Sequence, residues 1–327
     1  MSRRFAAPAR GALYRTSWAA IMPPGGSFYG TAAACVPEPD ETMTAVAGKK
    51  QEVRAAVLEA HRRGKRVGLV PTMGSLHAGH VSLVRAARAE NGFVVVSIFV
   101  NPAQFGPGED YAAYPRALEK DRQICHDEGV DLLFAPAMDE MYPAGFATTV
   151  HVAGLTEKMC GASRPGHFDG VATVVAKLLA IVEPDAAYFG EKDAQQLAVI
   201  RRMAADLDLA PDIRACPLVR DADGLAASSR NQYLSPDERE RALVLGRALA
   251  EARRTIAAGE RNARRLASLV RRHIESRSGL ALEYVAVVDP DTLQDLERVG
   301  RQALVAVAAK VGSTRLIDNL VVRNLGD

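Results

Sequence analysis

The run Phe93-Val-Val-Val-Ser-Ile-Phe-Val100 constrains this chain more than any other stretch. A run with no charge and a single hydroxyl cannot lie with one face in water, so it reads as a central strand covered on both sides. Coverage on both sides requires helices, and apolar residues at helical spacing supply them. Residues 51–63, 79–91, 116–128, 171–182 and 193–207 read as helices, and 66–70, 131–134 and 186–189 as further strands. This alternation predicts an α/β fold with a doubly wound parallel sheet, whose ligands sit at the carboxyl ends of the strands. Residues 136–169 carry the turn signals Tyr142-Pro-Ala-Gly145 and Arg164-Pro-Gly166 and are expected to be irregular.

Past about residue 217 the pattern changes. Two Arg-rich amphipathic helices, 236–258 and 263–276, precede strand-like runs at 282–288, 303–309 and 314–322. The expected organisation is therefore an N-terminal extension (1–43), a parallel-sheet domain (44–217) and a smaller α+β lid domain (218–327). The arginines of the two helices read as solvated faces.

Composition narrows the partners. A net charge of +2 gives no electrostatic case for nucleic acid or an anionic membrane. No apolar run approaches the roughly 20 residues of a membrane span. Cys35, Cys125, Cys160 and Cys216 are scattered without paired spacing, and read as reduced thiols of a cytoplasmic protein. Arg3, Arg4, Arg10 and Arg15 precede the first acidic residue, Glu38. Three readings of this segment stand open: a transit peptide, a disordered extension, or an early start codon with Met43 beginning the folded protein.

The chemistry concentrates where the strand at 66–70 ends. There the chain runs Pro71-Thr-Met-Gly74-Ser-Leu-His77-Ala-Gly79-His80. A helix starting directly after a strand offers free backbone N–H groups and a positive dipole end to an anion. His77 and His80 are expected to stand beside that anion and neutralise its charge. A half-formed metal site and a partly buried polar pair are the competing readings, but the Glu of a zinc-protease motif is missing. Tyr188-Phe-Gly190-Glu-Lys192-Asp193 repeats the strand-to-helix layout, with Lys192 as a point charge for phosphate and Asp193 as a helix cap or ribose acceptor. Ser228-Ser229-Arg230-Asn231 gathers phosphate donors on a loop. Asn101, Gln104 and Gln196 suit a small hydroxy acid, because amides bind hydroxyl and carboxylate without adding charge. Asp169, in His167-Phe168-Asp169-Gly170, is expected to cap the helix that follows. No Ser/His/Asp order, paired catalytic carboxylates or base beside Cys160 is evident.

His77-Ala-Gly79-His80 is similar to the His-x-Gly-His signature of the nucleotidyltransferase superfamily. Together with Phe99-Val-Asn-Pro-Ala-Gln104, Tyr114-Pro-Arg116, Gly190-Glu-Lys-Asp-Ala-Gln-Gln196 and Ser228-Ser-Arg230, it resembles the pantothenate synthetase (pantoate–β-alanine ligase) family over residues 44–327. The resemblance implies a Rossmann-like nucleotide-binding domain and an ATP-dependent ligation through a pantoyl adenylate, with Mg²⁺ arriving on ATP and a homodimeric assembly. It implies that Pro71, Thr72, Met73, Gly74, Ser75, Leu76, His77, Ala78, Gly79 and His80 hold ATP. Gly190, Glu191, Lys192, Asp193, Val219, Ala227, Ser228, Ser229 and Arg230 complete that site. Met73, Asn101, Gln104 and Gln196 would take pantoate and β-alanine. His77, His80, Lys192 and Arg230 would be catalytic. Ala227 departs from the bulky Leu or Met usual before Ser-Ser-Arg, which is expected to loosen nucleotide packing modestly. An adenylyltransferase that keeps its adenylated product, or a non-catalytic nucleotide sensor, are the alternatives.

Overall fold

The computed structural model describes residues 43–324, so the N-terminal segment, Cys35 included, lies outside the described residues. In chain order the elements are β1 (Ala45–Ala47), α1 (Lys50–Arg62), β2 (Val67–Thr72), α2 (Ala78–Glu90), β3 (Phe93–Ile98), α3 (Leu118–Asp127) and β4 (Leu132–Phe134). The short helices α4 (Met138–Met141) and α5 (Cys160–Ser163) follow, then α6 (His167–Val182), β5 (Ala186–Gly190), α7 (Ala194–Asp206) and β6 (Asp212–Cys216). The C-terminal part holds α8 (Pro236–Ala257), α9 (Ala263–Glu275), β7 (Leu280–Val288), β8 (Ala303–Val311) and β9 (Thr314–Val322).

Strands β1 to β6 form one parallel sheet in the order β1-β4-β3-β2-β5-β6. Side-chain alternation along each strand feeds the two covered faces of the sheet. Val67 and Leu69 of β2, Val95 of β3, and Ala187 and Phe189 of β5 enter one core, with α1, α6 and α7. Val70, Val94, Val96, Ala186 and Tyr188 enter the other, with α2 and α3. The run from Phe93 is thus the buried central strand its composition predicts. From β2 the chain winds outward through β3 and β4, then returns to β5 beside β2 and winds the opposite way to β6. The carboxyl ends of β2 and β5 therefore flank the topological switch point, where an open α/β sheet forms a crevice.

β7, β8 and β9 form an antiparallel sheet. Val305, Val307 and Ala309 face the core built by α8 and α9, while Leu304 and Ala306 join the core of the parallel sheet. Burial of both faces explains why β8 reads as an apolar run from Ala303 to Ala309, before the exposed Lys310.

The structure differs from the sequence reading at several points. β1 and β6 have no counterpart in it, because both are edge strands. β1 is too short to show a pattern, and Asp212-Ile-Arg-Ala-Cys216 places charges on its solvent side. Helix α6 begins at His167 rather than 171, with Gly166 as a left-handed N-cap at φ 79°. Asp169 is consequently inside the helix and caps nothing; its carboxylate bonds the His151 ring at 2.9 Å. Asp193 makes no side-chain cap either, because the 3-10 turn Glu191–Asp193 feeds straight into α7.

Candidate active site

At the switch point lies a cleft of about 770 Å³. β2 and the turn after it bring Pro71, Thr72 and Met73 to it, and the start of α2 brings His77, Gly79 and His80. From β5 and the turn after it come Gly190, Lys192 and Asp193, and from α7 Gln196. The segment before α8 supplies Val219, Ala227, Ser228, Ser229 and Arg230, and the turn after β3 supplies Gln104. Residues far apart in sequence are thus gathered by three strand ends and one loop. Gly74, Ser75, Leu76, Ala78, Glu191 and Asn101 are not in the cleft lining.

The turn after β2 is locked by its own polar groups. Thr72 Oγ1 donates to the Ser97 carbonyl at 2.7 Å and accepts from Gly74 N at 3.1 Å. The buried Asp121 carboxylate accepts from Ser75 N at 2.8 Å and from Leu76 N at 2.7 Å. These three amides hold the turn and lie outside the cleft lining. The imidazoles of His77 and His80 border the cleft as donors. His77 is the N-cap of α2: its Nδ1 accepts from Gly79 N at 3.1 Å, and its own N–H donates to His80 Nδ1 at 3.3 Å. With both Nδ1 atoms accepting, each ring carries its proton on Nε2. The rings lie 4.0 Å apart.

Burial, then the Lys192 ammonium, lowers the His77 pKa to about 4. Burial, then His77 and Lys192, holds His80 well below its ordinary value. Burial therefore favours the neutral, N–H-donating form of both histidines. The positive charge comes from Lys192, whose Nζ lies 3.6 Å from Asp193 Oδ1, and from Arg230. Arg230 forms a bidentate pair with Asp110, at 2.9 and 2.8 Å. Ser228 Oγ accepts from Arg230 N, and Ser229 Oγ shares a hydrogen bond with Tyr114.

Asn101 is buried behind the cleft. Its Nδ2 donates to Gln104 Oε1 and the Gly170 carbonyl, both at 3.0 Å, and its Oδ1 accepts from Ala103 N and the Tyr142 hydroxyl. With all its polar capacity used internally, Asn101 orients Gln104. Gln104 Nε2 reaches Met73 Sδ at 3.1 Å, so the amide and the thioether form one wall. Arg164 and His167 support the same turn: His167 Nδ1 donates to the Gln104 carbonyl at 2.7 Å, and Arg164 pairs with Glu109 at 2.6 Å. Sequence reading gave no role to Asp110, Glu109 or Arg164; the Glu-Asp pair in the Gly-rich loop and the Arg-Pro-Gly-His run were the available signals. Ala227 is buried, its Cβ 3.8 Å from where a β-carbon on Gly79 would stand.

A parallel sheet whose switch point carries neutral imidazole donors, a lysine and an arginine defines an α/β enzyme that handles anionic groups. The family model for pantoate–β-alanine ligase matches residues 45–321. Pantothenate synthetase of Koribacter versatilis is 55% identical over 276 residues, covering 84% of this chain and 95% of the relative. The crystal structure of pantothenate synthetase from Thermus thermophilus superposes with a TM-score of 0.81 at 50% identity, covering 85% of this chain and 99% of that one. A Francisella tularensis pantoate–β-alanine ligase, complexed with βγ ATP and β-alanine, gives a TM-score of 0.69 at 34% identity over 85% of this chain and 97% of that one. The chain belongs to the pantoate–β-alanine ligase family, and is a ligase that joins pantoate to β-alanine.

Proposed function

We propose that the ligation runs through an acyl adenylate formed in the switch-point cleft, with residues 44–217 holding the nucleotide and 218–327 covering it. ATP enters as its Mg²⁺ complex and lays its phosphates against His77, His80 and Lys192, with Ser228, Ser229 and Arg230 opposite. Pantoate lies along Met73, Gln104 and Gln196. Its carboxylate oxygen attacks the α-phosphorus, the bond to the bridging oxygen breaks, and pyrophosphate leaves. The amine of β-alanine then attacks the acyl carbon, AMP departs, and the amine loses a proton as the amide forms. A free carboxylate has no usable leaving group, and adenylation supplies one.

The observation that carries this reading is the pair of imidazoles, each with Nε2–H left to donate, beside Lys192. Such donors stabilise charge building on departing phosphate oxygens without reorganising. Mg²⁺ would be held mostly by the phosphate oxygens of ATP and by water, as this ion prefers. A complex of a relative with an ATP analogue and β-alanine supports both as ligands. No described helix is long and apolar enough to cross a membrane, in keeping with a cytoplasmic enzyme, and the family reading carries a homodimer, which sedimentation velocity measures.

The test is pyrophosphate and AMP release from purified protein with ATP and Mg²⁺, first with pantoate alone and then with β-alanine added. Sustained AMP turnover is expected only with both. His80→Ala and Lys192→Ala are each expected to lower kcat by about 10²–10³-fold. AMP turnover that ignores β-alanine would favour an adenylyltransferase, and silence with both substrates would sink the proposal.

A further inference from the structure

Two adjacent residues of β9, Asp318 and Asn319, reach opposite sides of the three-stranded sheet, as neighbours on a strand must. Asn319 lies on the face shared with Ile317 and Val321, which pack on the core of the parallel sheet. Its Nδ2 uses both hydrogens on one turn, donating to the Glu191 carbonyl at 2.8 Å and to the Lys192 carbonyl at 2.9 Å. Asp318 lies on the face shared with Leu316 and Leu320, which pack on α8 and α9. Its buried carboxylate takes the Arg220 guanidinium at 2.8 and 3.0 Å, and Arg220 also donates to the Gly224 carbonyl at 3.0 Å. Gly246 of α8 leaves the space this pair needs, since a β-carbon there would stand 3.1 Å from Arg220 Nη1. The Arg220 loop is in turn stitched to the Ser228–Arg230 segment, by Ala227 N to the Val219 carbonyl at 3.0 Å and by Asn231 Nδ2 to Asp221 at 3.1 Å. The dipeptide is internally coupled too, Asn319 N donating to Asp318 Oδ1 at 2.7 Å.

We infer that Asp318–Asn319 is the positioning element of the cleft, holding the Lys192 turn from one face of β9 and the Arg230 loop from the other. The spacing between the two cations is then set by a strand far from both in sequence. This inference rests on the proposed roles of Lys192 and Arg230. Asn319 borders the cleft but spends both Nδ2 hydrogens on the backbone of the Lys192 turn, so its loss should matter chiefly while Lys192 is present. An asparagine that merely stabilised the fold would show no such dependence.

The experiment is a double-mutant cycle on the full-length protein, pairing Asn319→Asp with Lys192→Ala. The carboxylate of Asn319→Asp keeps the shape but turns acceptors toward two carbonyl oxygens. Pyrophosphate release with ATP, Mg²⁺ and pantoate is expected to slow roughly tenfold to a hundredfold in Asn319→Asp. In the Lys192→Ala background the same change should alter the rate by no more than about twofold. Asn319→Ser, too short to span both carbonyls, carries the same expectation if the aspartate variant does not fold. A folded single variant at the wild-type rate, or two losses that multiply, overturns the inference. ATP–Mg²⁺ binding measured by calorimetry on the same four proteins keeps this separate from the reaction itself. If the wild type binds nucleotide but releases no pyrophosphate, the catalytic proposal fails. Non-additive binding would then still uphold the positioning role, and additive binding would overturn it.

Discussion

At Gly79 there is no room for a β-carbon. An added methyl would stand 2.9 Å from His77 Cε1 and 3.0 Å from His77 Nδ1, the atom that accepts the Gly79 amide. The glycine is required here for close packing of a ring against the helix start, because its backbone angles are ordinary helical ones. Gly79→Ala is therefore expected to push the His77 ring off its cap. Loss of a cap costs about 0.5–2 kcal/mol, partly offset by the better helix propensity of alanine. The displaced Nε2–H costs more in rate: kcat should fall about 10²-fold while the melting temperature moves only a few degrees. A variant with wild-type kcat would show that His77 is a structural cap alone. The sequence made this site legible because its motif is contiguous. The charge state was not legible, since neutrality of the histidines comes from burial and from Lys192, which is remote in sequence.

At the scale of elements, the helices and central strands announce themselves because their apolar periodicity is long and their cores lie on defined faces. The edge strands do not, since a strand with one neighbour and one wet side needs no apolar run. The start of α6 was hidden by Arg164-Pro-Gly166, a genuine turn after which polar His167 and Asp169 already belong to the helix. That start matters for the site. Gly170 lets α6 approach the 3-10 turn Pro102–Gln104 so closely that a β-carbon would fall on the Ala103 carbonyl, and its own carbonyl accepts from Asn101. Neither partner is a flexible side chain that could swing aside. Gly170→Ala should thus destabilise the protein by about 1–3 kcal/mol, and it should raise the KM for pantoate by moving Gln104. Chemical denaturation and pantoate titration measure the two effects. Unchanged stability would mean that α6 can slide, and that the turn is held by His167 and Arg164 instead.

For the whole molecule, burial of imidazoles sets an acid limit on stability. His77 and His167 are each lowered from 6.5 to about 4, by burial first and then by Lys192 and Arg164 respectively, and His80 is lowered well below 6.5 by burial first. Above 6.5 these rings are neutral both folded and unfolded, and the full stability is present. As pH falls through 6.5 toward 4 the unfolded chain takes up protons that the folded one refuses, so the free energy of unfolding falls. Each such proton contributes up to about 1.4 kcal/mol per pH unit. His151, exposed and raised by Asp169, acts in the opposite sense, and solvent screening keeps it small. Glu109, held down to about 2 chiefly by its Arg164 hydrogen bond, adds a second loss as pH falls from 4.5 toward 2. Denaturant unfolding is therefore expected to give a stability that is flat above about pH 7 and declines continuously below about pH 6.5. A flat profile down to about pH 5 would mean the rings are solvated and titrate normally. Saturating ATP should raise stability throughout by mass action. It should also make the decline shallower, because phosphate beside His77 and His80 favours their protonated forms and lets the folded state take up protons as well. The part of the decline due to His167, which faces the Gln104 carbonyl and Arg164 rather than the phosphates, should remain. A nucleotide that shifts the profile upward without changing its slope would place the phosphates away from the two rings.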